Sequence, residues 1–178
     1  MFSDGSLGGH TAAMHEAFTD APDRLGIDRL DPEWAAAMAR TALELGGRVA
    51  VHAIGDAANT AVLDLMEGLL EAGADAARLR IEHASVLTEH DLERFGRLGI
   101  TAVVQPAFIA SEREWLERRV GAERLTRTYA FRSLLEAGAP IAGSSDSPVE
   151  PLDPLAGMAV ARDRCGMVPA QGIDPGDA

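Results

Sequence analysis

The chain has 178 residues, of which 47% are hydrophobic and 25% are charged, a balance typical of a soluble globular protein with a single core. Its formal net charge of -12 would repel both a phosphate backbone and an anionic membrane surface. It contains no apolar run near the roughly 20 residues of a membrane helix and no basic-then-apolar leader. We therefore expect a cytoplasmic protein with no nucleic-acid or membrane partner.

The first residues predict the end of a strand that runs into a Gly-rich loop between Asp4 and Gly9. Because this start lies inside an element, we expect the natural protein to extend further upstream. Asp31 followed by Pro32 then predicts a helix start, with an N-cap and a first-turn proline. Apolar residues at helical spacing follow until Gly46 and Gly47 end this helix.

The stretch from Arg48 to Asp56 predicts a strand that ends at a metal-ligand type of residue. A β-branched run reaches His52, a turn follows at Gly55, and Asp56 can cap a helix beginning at Ala57. Sites in α/β proteins are built at the carboxyl ends of strands, because the loops converge there on one open face. His52 is therefore a candidate site residue.

The same layout recurs twice downstream. His83 closes the run Arg80-Ile81-Glu82, and Asp146 follows an apolar run that begins at Ile141. Taken singly, a histidine bonded to a carbonyl group or an aspartate that forms a turn explains each of them. Taken together, two histidines and an aspartate at strand ends are the ligand types of a divalent transition metal.

Further helices and strands alternate along the rest of the chain. A strand over residues 100–104 ends at Gln105. Predicted helix starts lie at Thr88 with Asp91, at Ser111 with Glu114, and at Asp153 with Pro154. We assign residues 1–163 to one domain and expect residues 164–178, which contain several Gly and Pro, to form a poorly ordered tail.

This alternation predicts βα units, a parallel sheet and the α/β class. Four strands with their helices amount to about half of an eight-stranded TIM barrel, which takes roughly 250 residues. A doubly wound open sheet, which would suit a small-molecule binding domain, is the alternative architecture. Against it, no Gly-rich dinucleotide fingerprint follows the first predicted strand.

Five motifs resemble, in order, those of the amidohydrolase 3 family. This family belongs to the metal-dependent amidohydrolase superfamily and includes relatives of N-substituted formamide deformylase. The resemblance runs from Asp4 to about Arg162. Its motifs are Asp4-Gly5-Ser6-Leu7-Gly8, Val51-His52-Ala53-Ile54-Gly55-Asp56, Arg80-Ile81-Glu82-His83-Ala84, Gln105-Pro106 and Gly143-Ser144-Ser145-Asp146-Ser147-Pro148-Val149.

The resemblance implies the C-terminal half, about strands 5 to 8, of a TIM (β/α)8 barrel. It also implies a hydrolase that acts on carbon-nitrogen bonds other than peptide bonds, in small amide-type substrates, with one or two zinc ions. His52 and His83 match metal ligands on the fifth and sixth strands. Asp146 matches the eighth-strand aspartate that is both general base and metal ligand.

Three further residues match positions near the substrate. Asp4 and Ser6 match the loop after the fourth strand, where the role is either structural or in substrate binding. Gln105 matches a position at the mouth of the seventh strand, where it would contact substrate. We take Asp4, Ser6 and Gln105 as the candidate substrate-binding residues.

The chain also departs from the family pattern. The His-x-His pair of the first strand and the small β-sandwich are missing, and no lysine is present to provide the family's carboxylated lysine. We therefore expect a fragment with an incomplete metal site, weakly active or inactive alone. The alternative is a non-catalytic half-barrel module for interaction or assembly.

A half-barrel would leave two sheet edges and an interior face uncovered. We expect this to expose Val49, Val51, Val103 and Ile141 to water and to cause self-association through the exposed edges.

Overall fold

The computed structural model describes residues 1–174 and residue 176. Its centre is a four-stranded sheet in which every neighbouring pair of strands is parallel. The strands are β1 (Val49–Ala53), β2 (Leu79–His83), β3 (Thr101–Val104) and β4 (Ile141–Gly143).

Helices connect and flank these strands. They are α1 (Pro32–Glu44), α2 (Asp56–Glu71), α3 (Glu89–Leu98), α4 (Ala107–Glu112), α5 (Leu116–Val120), α6 (Ala122–Leu125), α7 (Phe131–Glu136) and α8 (Pro154–Asp163). Among the described residues, none of these helices has the length and apolar character that crossing a membrane requires.

The order of the strands in the sheet is β1-β2-β3-β4, the same as their order in the chain. A doubly wound sheet reverses its strand order at a switch point, and the described strands contain no such reversal. The predicted parallel α/β architecture is therefore confirmed, whereas the doubly wound alternative is not supported. Residues 1–3 run beside the free edge of β1, where the Ser3 amide donates to the His52 carbonyl at 3.0 Å.

The sheet has one covered face and one open face. In β1, Val49, Val51 and Ala53 are buried, whereas Ala50 and His52 between them are half-buried. This alternation follows from the two-residue period of a strand. Helices α1 and α2 pack against β1, so they cover the face that carries its buried residues.

The apolar exposure that we expected on the sheet is not found there. Val49, Val51 and Val103 are only 3%, 0% and 9% exposed, so the prediction is wrong for these three valines. Val49 and Val51 point towards the helices, and Val103 lies in an inner strand flanked by β2 and β4. Ile141 is partly buried. The open face instead carries polar side chains, including those of Arg80 and Glu82.

Exposed apolar side chains lie on and beside helices α1 and α8. On α1, Trp34 and Met38 are 56% and 46% exposed, and Leu45 just after this helix is 83% exposed. Beside β4, Leu152 and Met158 are 80% and 52% exposed. Both flanks of the sheet therefore carry exposed apolar side chains.

One predicted helix start is wrong. The pattern of Ser111 with Glu114 predicts a helix start at Ser111, but Ser111 lies inside α4, where its hydroxyl donates to the Phe108 carbonyl at 3.2 Å. The next helix, α5, begins only at Leu116, ends at Val120 and is followed by Gly121 as its C-cap. The chain turns between α4 and α5, so the residues on the two sides of this turn cannot form one capping box.

The segment from residue 164 onwards differs from the poorly ordered tail that we expected. Two 3-10 turns, Arg164–Gly166 and Pro169–Gln171, pack against the domain. The Arg164 guanidinium is fully buried and donates to the Tyr129 carbonyl at 2.7 Å. The segment is held as far as Ile173, whose amide donates to the Ala161 carbonyl at 3.0 Å. The rest of that prediction, at residues 175, 177 and 178, lies outside the described residues.

Candidate active site

Side chains from the carboxyl ends of all four strands meet at one cavity of about 240 Å³. The His52 and His83 rings, from β1 and β2, lie with their centroids 4.5 Å apart at an interplanar angle of 71°. The structure thus brings together His52, His83, Gln105 and Asp146, which the sequence singled out. The lining residues are Met1, Phe2, Ala50, His52, Glu82, His83, Gln105, Ser144 and Asp146.

A left-handed backbone at His83 turns its ring into this cavity. Glu82 and His83 are consecutive residues that both line the cavity, although successive side chains of a regular strand point to opposite faces. His83 has a φ of 78° and Ala84 a φ of 45°, and these angles break the alternation at the end of β2. Strained backbone of this kind is concentrated at functional sites.

His52 is held by two oxygen acceptors on the N-terminal loop. Its Nε2 lies 3.0 Å from the Gly5 carbonyl and 3.1 Å from Asp4 Oδ1. Since neither oxygen can donate, Nε2 must carry the proton, and in the neutral ring Nδ1 is left as a lone pair. Burial lowers the pKa of His52, but the bonds to Asp4 and Gly5 outweigh it, so the pKa is raised.

The Asp4 carboxylate is buried, and both of its oxygens accept hydrogen bonds from other groups of the protein. Besides His52, it accepts from the Ala13 and Gly55 amides at 2.9 and 2.8 Å and from the Ile54 amide at 3.1 Å. Its side chain has no exposed surface. Asp4 therefore joins the N-terminal loop to the end of β1 and orients His52, and among the described residues it does not line the cavity.

His83 is hydrogen-bonded through Nδ1, the ring nitrogen that His52 leaves free. Its Nδ1 lies 2.9 Å from Gln105 Oε1, so Nδ1 carries the proton and Nε2 is left as a lone pair. Burial lowers the pKa of His83, and the neighbouring His52 lowers it further. The two imidazole rings thus lie side by side, and each has one nitrogen fixed as a hydrogen-bond donor.

Asp146 follows β4 in a left-handed conformation with a φ of 52°. It is exposed at the cavity, and its charge raises the pKa of both His52 and His83, although other effects are larger.

Ser6 lies apart from the cavity. Its side chain is exposed, and its hydroxyl oxygen accepts from the Gly9 amide at 3.2 Å. Thr11 Oγ1 in turn accepts from the Ser6 amide at 2.9 Å. Within the described residues Ser6 is not among those that line the cavity, and these contacts shape the N-terminal loop.

Glu82 and Asn59 are among the residues around the site that were not singled out from the sequence. Glu82 lines the cavity and pairs with Arg80 at 2.6 Å; its position before His83 in the motif was the available signal. Asn59 is fully buried in α2, and its amide donates to the Gly55 and Val86 carbonyls at 2.9 and 3.2 Å. It thereby joins the loops after β1 and β2, and no local sequence pattern indicates this.

The motifs at these strand ends match a known protein family. The sequence profile of the amidohydrolase family matches residues 1–162. The chain belongs to the amidohydrolase family. The resemblance inferred from the motifs is thereby confirmed.

Two amidohydrolase relatives are much longer than this chain. Amidohydrolase YtcJ of Bacillus subtilis is 39% identical over 158 residues, which cover 89% of this chain and 30% of YtcJ. N-substituted formamide deformylase of Arthrobacter pascens is 32% identical over 145 residues, which cover 79% of this chain and 26% of the deformylase. The chain therefore spans less than a third of the length of these relatives.

A solved structure matches the fold of this amidohydrolase chain. The crystal structure of a metal-dependent hydrolase from Pyrococcus furiosus is 36% identical, with a TM-score of 0.87. The match covers 97% of this chain and 35% of that chain.

The donor atoms of this amidohydrolase site fit a divalent metal in kind but not in number. The nitrogens His52 Nδ1 and His83 Nε2 are imidazole donor atoms of the kind that such metals bind. Within residues 1–174 and 176, however, no three His, Cys, Asp or Glu side chains lie close enough together to hold an ion. The described residues thus supply a partial ligand set.

Proposed function

We propose that this chain forms the fifth to eighth strands of a (β/α)8 barrel. The parallel strands in chain order support this, because a barrel adds its strands one after another around its axis. The position of the cavity at the carboxyl ends of the strands supports it as well, since this is the face on which barrel enzymes build their sites.

The function that the geometry supports best is hydrolysis of a carbon-nitrogen bond other than a peptide bond, in a small formamide, amide or cyclic amide substrate. The observation that carries this proposal is the pairing of His52 and His83. Their rings lie 4.5 Å apart, and each has one nitrogen bonded to an oxygen acceptor while the other keeps its lone pair. Both histidines line the cavity, where a nitrogen that is not used in these hydrogen bonds could bind a metal.

In this proposal His52 and His83 hold a divalent metal, which we take to be zinc, and Asp146 contributes a carboxylate. When bound, the metal would polarise the substrate carbonyl group and lower the pKa of water. Asp146 would accept a proton from the attacking water and return it to the leaving nitrogen. Its exposed position at the cavity suits this exchange, because a proton carrier must reach both water and substrate.

We further propose that the 178-residue chain takes up zinc weakly and turns over little or no substrate alone, in the cytoplasm. Two imidazoles and one carboxylate give fewer ligands than a closed tetrahedral site, and the family's lysine is missing. Of the candidate substrate-binding residues Asp4, Ser6 and Gln105, only Gln105 lines the cavity, whereas Asp4 is buried behind His52 and Ser6 lies in the N-terminal loop. Ser6, which is exposed, is the most accessible of these three.

Zinc binding tests the proposal. The chain is dialysed against zinc and its metal content is measured for the wild type, His52→Asn, His83→Asn and His90→Asn. His90 is an exposed residue of α3 and provides the matched control. We expect both cavity variants to lose zinc and His90→Asn to retain the wild-type content. Unchanged zinc in the His52 and His83 variants would refute the assignment.

A second candidate function is an assembly module that pairs with another copy of itself. The exposed apolar residues Leu152 and Met158 favour it, since they border an apolar cleft of about 910 Å³ between α8 and β4. The outer edge of β4 has no pairing strand among the described residues. An open edge beside apolar surface is a template for association.

A further inference from the structure

Gln105 follows β3, and both the oxygen and the nitrogen of its buried side-chain amide form hydrogen bonds within the protein. It is 1% exposed. Its Oε1 accepts from His83 Nδ1 at 2.9 Å. Its Nε2 donates to the Val103 carbonyl at 3.1 Å and to Ser144 Oγ at 2.9 Å. A residue whose amide oxygen and nitrogen are both bonded within the protein has little capacity left for substrate.

The Val103 carbonyl decides which way the Gln105 amide faces. A carbonyl oxygen only accepts hydrogen bonds, so the amide nitrogen must lie on the Val103 side and the amide oxygen on the His83 side. The amide oxygen can only accept, so the proton of the neutral His83 ring must sit on Nδ1. The backbone of β3 therefore dictates the tautomer of a histidine at the end of β2.

Ser144 extends this connection to the strand that leads to Asp146. The Ser144 amide donates to the Val104 carbonyl at 2.9 Å, in addition to the bond between its hydroxyl and Gln105. Ser144 lies two residues before Asp146. One side chain thus joins the ends of β2, β3 and β4 next to the cavity.

We propose that Gln105 is a positioning residue that holds His83 in its Nδ1-protonated tautomer and ties it to the loop carrying Asp146. The use of the free Nε2 as a metal ligand rests on the proposed function, whereas the tautomer itself does not. Second-layer hydrogen bonds of this kind fix the tautomer and orientation of a ligating histidine.

The tautomer is measured directly on the metal-free chain. Long-range proton-nitrogen correlation spectra of the 15N-labelled chain distinguish the two protonation sites of each neutral histidine, and His83→Asn assigns the His83 signals. The test variant is Gln105→Met, which removes the amide at nearly constant volume. Gln171→Met is the matched control, because the side-chain amide of Gln171 also forms hydrogen bonds within the protein, to Ser133 on α7.

We expect wild-type His83 to be protonated at Nδ1, and to stay so in Gln171→Met and in Ser144→Ala, where Val103 still orients the amide. In Gln105→Met the form protonated at Nε2 should appear, and zinc affinity should fall by about 10- to 100-fold. Gln105→Leu replaces Gln105→Met if the latter does not fold.

Protonation at Nε2 in the wild type, or an unchanged tautomer in the folded Gln105 variants, would overturn the role of Gln105. If the wild type binds no zinc, the proposed function fails while the tautomer comparison still decides the role of Gln105. The two failures are therefore distinguishable.

Discussion

Asp4 acts through hydrogen bonds from inside the protein, since its carboxylate is buried and accepts from three backbone amides and from His52. In Asp4→Asn one oxygen becomes an NH2 group that faces a donor. Leaving a buried donor without an acceptor costs about 1–3 kcal/mol, so we expect the free energy of unfolding to fall by about that amount in urea titrations. Asp23→Asn, at an exposed position, should leave it unchanged. Equal midpoints for the two variants would contradict this role of Asp4.

Glu112 predicts a dependence of stability on pH. Burial raises the pKa of Glu112 from 4.5 to about 7, although the Tyr129 hydroxyl, which donates to it at 2.6 Å, and Arg119 act in the opposite direction. Between these two pH values the folded chain holds a proton that the unfolded chain has released. The contribution of Glu112 to stability is therefore fully present below pH 4.5 and is lost as the pH rises to about 7.

Glu112→Gln removes this titration. We expect the free energy of unfolding of the wild type, relative to this variant, to decrease between pH 4.5 and 7, by at most about 3 kcal/mol. Urea titrations at several pH values measure the difference. Glu114→Gln, at an exposed position in the turn after α4, should show no such trend. A difference between wild type and Glu112→Gln that is flat with pH would exclude the titration.

The residues of the site differ in how far the sequence could reveal them. His52, His83 and Asp146 were predictable, because each follows an apolar run in a recognisable motif, and the structure places all three at one cavity. The bonds of Asp4 to Ile54 and of Gln105 to His83 could not be predicted from local patterns. They join residues that are far apart in the chain and become neighbours only when the strands pair.

At the scale of elements, the packing of α3 depends on one glycine. A Cβ at Gly96 would lie 1.7 Å from the Ala137 carbonyl oxygen at the end of α7, whereas a Cβ at Gly68 in α2 would meet nothing within 4 Å. We expect Gly96→Ala to lower the free energy of unfolding by about 1–3 kcal/mol through overpacking. Gly68→Ala should raise it by about 0.5–1 kcal/mol, because alanine favours a helix. Thermal and urea unfolding measure both changes. If both variants changed the free energy of unfolding in the same direction, the close approach of Gly96 to Ala137 would be contradicted.

The helix starts illustrate what local patterns can establish. Asp31, Thr88 and Asp153 each accept a hydrogen bond from the backbone amide three residues on, as predicted. The Ser111 pattern has the same spacing but fails, because Pro106 starts a helix earlier and carries Ser111 into its interior. A capping signal can therefore be read from sequence only where no earlier start competes with it.

At the scale of the whole molecule, we expect the chain to associate through the flank formed by β4 and α8. Leu152 and Met158 line its apolar cleft, whereas residues 1–3 already run along the edge of β1 at the other end of the sheet. We expect the apparent mass in sedimentation to rise with concentration above the 18.8 kDa of one chain. The double variant Leu152→Gln/Met158→Gln should abolish this rise.

The matched control for association is Trp34→Gln/Met38→Gln, which makes the same kind of change on the exposed surface of α1. It should associate like the wild type. A wild-type chain that stays at 18.8 kDa at high concentration would exclude self-association, and a loss of association in the α1 variant would move the interface to the other flank.

The open edge of β4 also has a consequence for amide hydrogen exchange. Strands β2 and β3 are flanked by strands on both sides, whereas β4 pairs only with β3 among the described residues. Exchange follows local opening, which is easiest where few contacts hold a strand. Amide protons of Ile81 and Val103 should therefore outlast those of Ala142 and Gly143 in deuterated water, and association through the β4 flank would slow exchange at β4 as the concentration is raised.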